Sequence, residues 1–151
     1  MNRLLFLLVL IAGCQTQLSS TPQTNSPSDQ TQTNPDLPVG AVAAPSSFNG
    51  DYRLDDTLHS TTLACFTIAD GQISSWKDGC NDPPVPTTDS QVVTAQPSRV
   101  IVVVTITRTA GNFKYKISFV QQDDGTLKGQ SFATNLASGE VTSNEVTATH
   151  L

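Results

Sequence analysis

The most regular alternation of apolar and polar positions in the chain runs from Val102 to Gln121. A two-residue turn at Gly111-Asn112, a pairing suited to tight hairpins, makes facing residue numbers sum to 223. Ala110 then meets Phe113, Arg108 meets Tyr115, Ile106 meets Ile117 and Val104 meets Phe119, all on one nearly apolar face. Thr105, Thr107, Thr109, Lys114, Lys116 and Ser118 take the other face. A slip of one residue would exchange the faces of one strand, so the pattern specifies its own register. A second hairpin is predicted at Asp70-Gly71, where facing numbers sum to 141, Ile68 opposes Ile73, Phe66 opposes Ser75 and Cys65 lies across from Trp76.

Shorter runs of β-branched and aromatic residues predict strands over 50–56, 91–95, 126–134 and 140–149. The turn at Asp123-Asp124-Gly125 leaves two registers open. A three-residue loop turns Leu127 toward the core, and a two-residue loop turns Phe132 inward instead. Pro83-Pro84 and Pro86 mark an irregular connection, and Pro97 interrupts the chain before Val100. No stretch carries helical periodicity. The expected fold is all-β, a small antiparallel meander of about eight strands, closed as a barrel or folded as a sandwich.

The pattern changes character upstream. Residues 15–46 have no aromatic, no Lys and no Arg, and are rich in Ser, Thr, Gln and Pro. Such a stretch buries too little surface to offset the entropy of ordering it and is expected to be a disordered linker. As a flexible coil it would span roughly 30 Å. The β domain is accordingly expected over 47–151. Before the linker stand Met1-Asn2-Arg3, an apolar run from Leu4 to Ala12, and Gly13. A basic start, a short apolar stretch and small residues at its end make a secretory signal over 1–13. The apolar part is about nine residues, against roughly 20 for a helix that crosses a bilayer.

Leu10-Ile11-Ala12-Gly13-Cys14 resembles the lipobox of bacterial lipoproteins: an aliphatic residue, small residues and the acceptor cysteine. The resemblance covers the first fourteen residues. It implies cleavage before Cys14, a diacylglyceryl group on its sulfur, an acylated amino terminus and a membrane as partner. Two or three acyl chains anchor a protein where one alone binds marginally. In Gram-negative sorting, aspartate after the lipidated cysteine favours the inner membrane. Gln15 stands there, so the resemblance favours the outer membrane.

Cleavage would remove Arg3 and leave seven basic against thirteen acidic side chains. No stretch clusters Lys or Arg, so the electrostatic footprint of a nucleic-acid binder is missing. With Cys14 lipidated, Cys65 and Cys80 remain and are expected to pair in the oxidising compartment that an export signal implies. Two free buried thiols are the alternative.

Gly50-Asp51-Tyr52 on the first predicted strand resembles the Gly-x-Trp opening of the lipocalin group, which implies a meandering barrel around an apolar ligand. The aromatic here is Tyr, and the last strand offers His150 where that group has an Arg.

Candidate chemistry is sparse. His59 follows Asp55 and Asp56 and precedes Ser60, but nucleophilic catalysis needs a base oriented against a nucleophile, and no Gly-x-Ser-x-Gly turn is present. His150 is expected to fray near the chain end. Cys65, Cys80 and His59 are too few for structural zinc. Asp51, Asp55 and Asp56 lack the glycine-centred loop of a calcium site. No metal, cofactor or enzyme activity is expected. Tyr52 and Trp76 are the aromatics suited to a partner or sugar if they lie at a rim, and otherwise they fill core. The expected role is a lipid-anchored binding or assembly module for an envelope protein or glycan. A barrel carrier of an apolar ligand is the alternative, and a hydrolase a distant third.

Overall fold

The computed structural model describes residues 36–96 and 98–151. Cys14, the leader and most of the linker lie outside the described residues. The described residues form a single antiparallel sheet of nine strands: β1 Val42–Ala43, β2 Gly50–Asp56, β3 Thr61–Ala69, β4 Gln72–Lys77, β5 Thr87–Gln96, β6 Arg99–Arg108, β7 Gly111–Gln121, β8 Leu127–Asn135 and β9 Val141–His150. Their order is β1-β5-β6-β7-β8-β9-β2-β3-β4. β5 to β9 pair in succession as in a meander, as do β2 to β4, β9 returns to β2, β1 lies beside β5, and the sheet curls into a half-barrel. Its two edges approach each other at a few points only. Val92 N–H donates to Gly71 O at 2.7 Å, and Ile73 N–H to the Ser90 hydroxyl.

Inward-facing residues make one core. Leu54, Ile68, Val92, Val100, Val102, Val104, Ile106, Ile117, Phe119 and Leu127 are all at most 1 % exposed. A short 3-10 turn, Ser46–Phe48, places Phe48 in this core just before β2.

The β6–β7 hairpin turns two residues earlier than the alternation predicts. Thr109 and Ala110 form the turn, Arg108 pairs with Gly111, Val104 with Tyr115, and Val102 with Ile117. Gly111 takes φ +127°, a conformation costly for any other residue. The shift also brings Val100 opposite Phe119. Because it is an even number of residues along each strand, every side chain keeps its predicted face.

The β3–β4 hairpin departs further. Ile68 pairs with Ile73 as expected, but a bulge between Thr67 and Ile68 places Phe66 opposite Trp76 and Cys65 opposite Lys77. An unbulged register would put Trp76 beside Cys65 on the outer face. The single extra residue sends the indole into the core, 1 % exposed. After β7, Leu127 pairs with Gln121 and is buried, whereas Phe132 faces out.

Cys65 and Cys80 form a disulfide, with Cα atoms 4.9 Å apart. It lies on the outer side of β3 and ties the start of the β4–β5 connection across the edge strand. Residues 36–46, read from sequence as linker, are ordered here. Leu37 and Ala41 cover Val93, Ile101 and Val103 on the outside of the sheet, and Lys114 pairs with Asp36. Those three side chains are apolar on a face where alternation leads one to expect polar residues, and covering them repays ordering the segment.

Curvature has a local source on β8, whose inward positions are Leu127, Gly129, Ser131 and Ala133. A Cβ at Gly129 would stand 1.9 Å from the Ser118 carbonyl oxygen. Gly129→Ala is expected to destabilise the domain by roughly 1–3 kcal/mol through forced backbone shift, seen as a lower urea midpoint at unchanged slope. Reducing the Cys65–Cys80 bridge, which closes a loop of 15 residues, is expected to remove about 3 kcal/mol. Calorimetry should then show the melting temperature falling by roughly 10 °C or more.

Candidate functional site

Ring-bearing side chains form a continuous column through the interior. Phe66 lies against Tyr52 at 5.4 Å and against Trp76 at 5.7 Å, both stacked, because the three residues are direct cross-strand partners on β2, β3 and β4. Trp76 then meets Tyr115 at 5.1 Å. That contact crosses the interior, since β4 is an edge strand and β7 lies in the middle of the sheet. At the other end of the column His150 packs edge-on to Tyr52 at 5.0 Å. Its imidazole sits over Gly50, where a Cβ would lie 2.1 Å from Nε2. The expected fraying of His150 is therefore corrected: it is a β9 ladder residue opposite Tyr52, and Leu151 N–H donates to Asp51 O at 2.8 Å. Tyr52, 4 % exposed, donates its hydroxyl to Phe48 O at 3.0 Å, and burial raises its pKa. Tyr52 and Trp76, the aromatics suited by sequence to a rim, are both core residues.

The column ends at a charged clamp. Arg108 holds Asp78 through two hydrogen bonds, Nε to Oδ2 at 2.8 Å and Nη2 to Oδ1 at 2.5 Å, and Nη1 donates to the Tyr115 hydroxyl at 3.1 Å. Its guanidinium also lies over the rings of Phe113 and Tyr115, at 5.2 and 5.6 Å. A forked, charge-assisted pair of this kind fixes direction as well as distance. Asp78 begins the β4–β5 connection, so the clamp and the disulfide hold that connection from opposite sides. The Trp76 indole N–H is buried with no acceptor in full hydrogen-bond geometry. Asp78 is the group that feels it. The Arg108 hydrogen bonds hold the Asp78 carboxyl below its usual range, against the effect of burial, and the indole adds a smaller contribution.

Asp56 organises the β2–β3 turn. Its Oδ1 accepts the Leu58 and His59 N–H groups at 2.8 and 3.0 Å, and its Oδ2 lies 3.0 Å from His59 Nδ1. The His59 bonds place the Asp56 carboxyl below its ordinary value. The His59 side chain is 72 % exposed. Ser60 follows with φ +52°. A polar cleft of about 490 Å³ beside this turn is lined by Arg53, Asp55, Asp56, Thr57, Ser60, Thr62 and Thr147, without His59. The His59 imidazole and the Asp56 carboxylate thus meet, and the hydrogen bonds of His59 in this turn go to Asp56. Asp51 accepts from Thr67, and Asp55 from Arg53 and Thr62, so the three aspartates answer separate donors. Among the described residues, no three of His, Cys, Asp and Glu converge as a metal site. Two further clefts lie on the outer surface. One, of about 270 Å³, adjoins the disulfide between Tyr52 and Lys77, and the other, of about 470 Å³, separates residues 36–39 from Arg99 and Lys116.

No protein-family model matches the chain, nor does any curated protein or solved structure. The Arg108–Asp78 clamp was not foreseeable from local pattern, because its partners are 30 residues apart and Arg108 reads as one polar end of an apolar strand.

The clamp has a defined pH signature. The folded-state pKa of Asp78 is lowered, so its contribution is complete above the unfolded value of about 3.9 and is lost as pH falls through the lower folded value. Asp78→Asn is expected to cost roughly 1 kcal/mol at neutral pH, a figure kept small because the carboxylate is partly solvated. Denaturant melts should show the gap between wild type and variant constant above about pH 5 and closing below about pH 4.

Proposed function

We propose that this chain is an envelope lipoprotein anchored through Cys14, and that its β domain is a non-catalytic binding or assembly module facing an envelope protein or glycan. The lipobox-like segment Leu10-Ile11-Ala12-Gly13-Cys14 supports the anchor, and the lone disulfide Cys65–Cys80 fits an exported domain whose third cysteine is otherwise engaged. Gln15 favours the outer membrane. The observation that carries the binding reading is the filled interior. Val102, Val104, Ile106, Ile117 and Phe119 are completely buried, and Trp76 lies across the sheet against Tyr115.

A carrier of the lipocalin kind needs an interior cavity of roughly 300 Å³ or more. The three clefts described above open to the outside; the one beside the β2–β3 turn is lined by polar and charged residues, and the other two by polar and apolar residues together. Tyr52 and His150 take positions that suit the lipocalin-like opening, and the edge-to-edge hydrogen bonds at Gly71 and Ser90 favour barrel closure over a sandwich. That likeness concerns architecture, and a core occupied by its own side chains favours recognition on the outside. For hydrolysis, His59 has its aspartate but faces solvent.

The wild-type protein should incorporate radiolabelled palmitate and fractionate with membranes, whereas Cys14→Ser should remain unlabelled and soluble. Crosslinking in intact cells should trap a discrete envelope partner with the anchored protein. An apolar small molecule co-purifying in its place would overturn the binding reading in favour of carriage.

A further inference from the structure

Among the described residues, four of the eight exposed large hydrophobic side chains lie toward one end of the sheet. Leu58 lies on the β2–β3 turn at 71 % exposure and Leu136 on the β8–β9 turn at 50 %. Val141 (56 %) and Phe132 (38 %) lie on the outer face just beneath the second turn. The two turns lie toward the same end of the sheet, because β9 pairs with both β8 and β2, and Thr57 N–H donates to Glu145 O at 2.8 Å, which sets the first turn four residues along β9 from Val141. Neither leucine is on a loose loop. Asp56 holds the first turn through the Leu58 and His59 amides, and Asn135 Oδ1 holds the second through the Ala137 and Ser138 amides at 2.9 and 3.3 Å. Apolar tips fixed on ordered turns lose little freedom on binding, which is what makes a small contact effective.

Cations flank the same patch. On the outer face Lys116 opposes Phe132, and Lys114 and Val141 sit on either side of Thr134. Glu140 precedes Val141 and Glu145 lies opposite Gln130, so the surroundings are mixed in sign rather than strongly basic. The described chain enters at this face, where Asp36 pairs with Lys114. Only residues 15–35 separate that point from Cys14. A coil of that length spans roughly 25 Å on average.

We propose that this end of the domain docks on the lipid bilayer that holds its own anchor, with Leu58, Leu136, Val141 and Phe132 entering the headgroup boundary and Lys116 meeting lipid phosphates. The inference rests on the anchored reading of Cys14. Aromatic and aliphatic tips flanked by lysines are the chemistry of an interfacial contact. Tethering makes the contact intramolecular, at an effective concentration in the millimolar range for a short linker. A patch too small to bind a membrane from solution therefore suffices. The mixed charge around it fits zwitterionic headgroups, while the acidic remainder of the domain is held away from the surface. Docking would fix the domain's orientation and leave the β3–β4–β5 side, with its disulfide and clefts, facing outward.

The test uses the full lipidated chain in vesicles of phosphatidylethanolamine and phosphatidylcholine whose acyl chains are brominated near the headgroup. Phe132→Trp and, separately, Leu136→Trp report on the patch. Ser74→Trp reports on exposed edge strand β4, and buried Trp76 is the background read in the unsubstituted protein. Several-fold stronger quenching at 132 or 136 than at 74 is expected, and Lys116→Glu should reduce it. Flotation with the vesicles but equal quenching at all positions overturns the docking and leaves the anchor standing. Failure to float overturns the anchor and the docking together. Tryptophan shielding that grows with protein density in the vesicle, without lipid quenching, overturns it in favour of a second copy of the chain.

Discussion

The placement of Trp76 against Tyr115 is the contact on which the shape of this domain turns. One residue belongs to an edge strand and the other to the middle of the sheet, so the contact exists only where the sheet has curled over its own interior. Packing an indole against a phenol, tilted 37° to each other, supplies apolar area and ring packing together. The Arg108–Asp78 fork then locks the chain just beyond Trp76 to the end of β6. The two devices do different work. The rings provide most of the attraction, and the fork, partly solvated and correspondingly modest in energy, fixes where the β4–β5 connection crosses. The disulfide restrains the same connection from the outer face, so loss of any one of the three leaves the others to hold the curl.

Much of the core was legible because strand periodicity is a parity code. The predicted β6–β7 turn is displaced by two residues, yet Val102, Val104, Ile106, Ile117 and Phe119 still point inward, since an even displacement leaves faces unchanged. The same code misleads where the structure inserts an odd residue. The bulge at Thr67 moves Trp76 from the outer face to the core, and no local signal announces it, because either register offers alternating polarity. The ambiguity after Asp124 was visible but undecidable from one strand alone. Gly129 settles it, since only with Leu127 inward does the glycine lie against Ser118 and Phe119, where no side chain fits.

The boundary of the domain shows a different limit. Residues 36–46 read as linker by composition, and composition describes what a segment can bury alone. Leu37 and Ala41 gain their partners from Val93, Ile101 and Val103, three apolar residues on the outward face of β5 and β6. That face looks anomalous in the strand pattern only once the question is asked what covers it. The long-range ion pairs Asp36–Lys114 and Asp78–Arg108 were illegible for a related reason, since pairing 78 and 30 residues apart depends on the curl itself.

Where function resides follows from how the interior has been used. In a small β domain every inward position given to a Val, Ile or ring is one withheld from a ligand, and here ring contacts run from His150 through Tyr52, Phe66 and Trp76 to Tyr115 beside Arg108. On the binding role proposed above, recognition falls to the outer face, which is otherwise rich in Thr, Ser and Asp. Against that background, apolar tips on two tightly hydrogen-bonded turns are the departure that asks for a cause. Leaving Leu58 and Leu136 in water contributes nothing to folding, whereas the hydrogen bonds that hold their turns do. Side chains so placed gain from contact with something outside the domain, and the proposed docking gives them one.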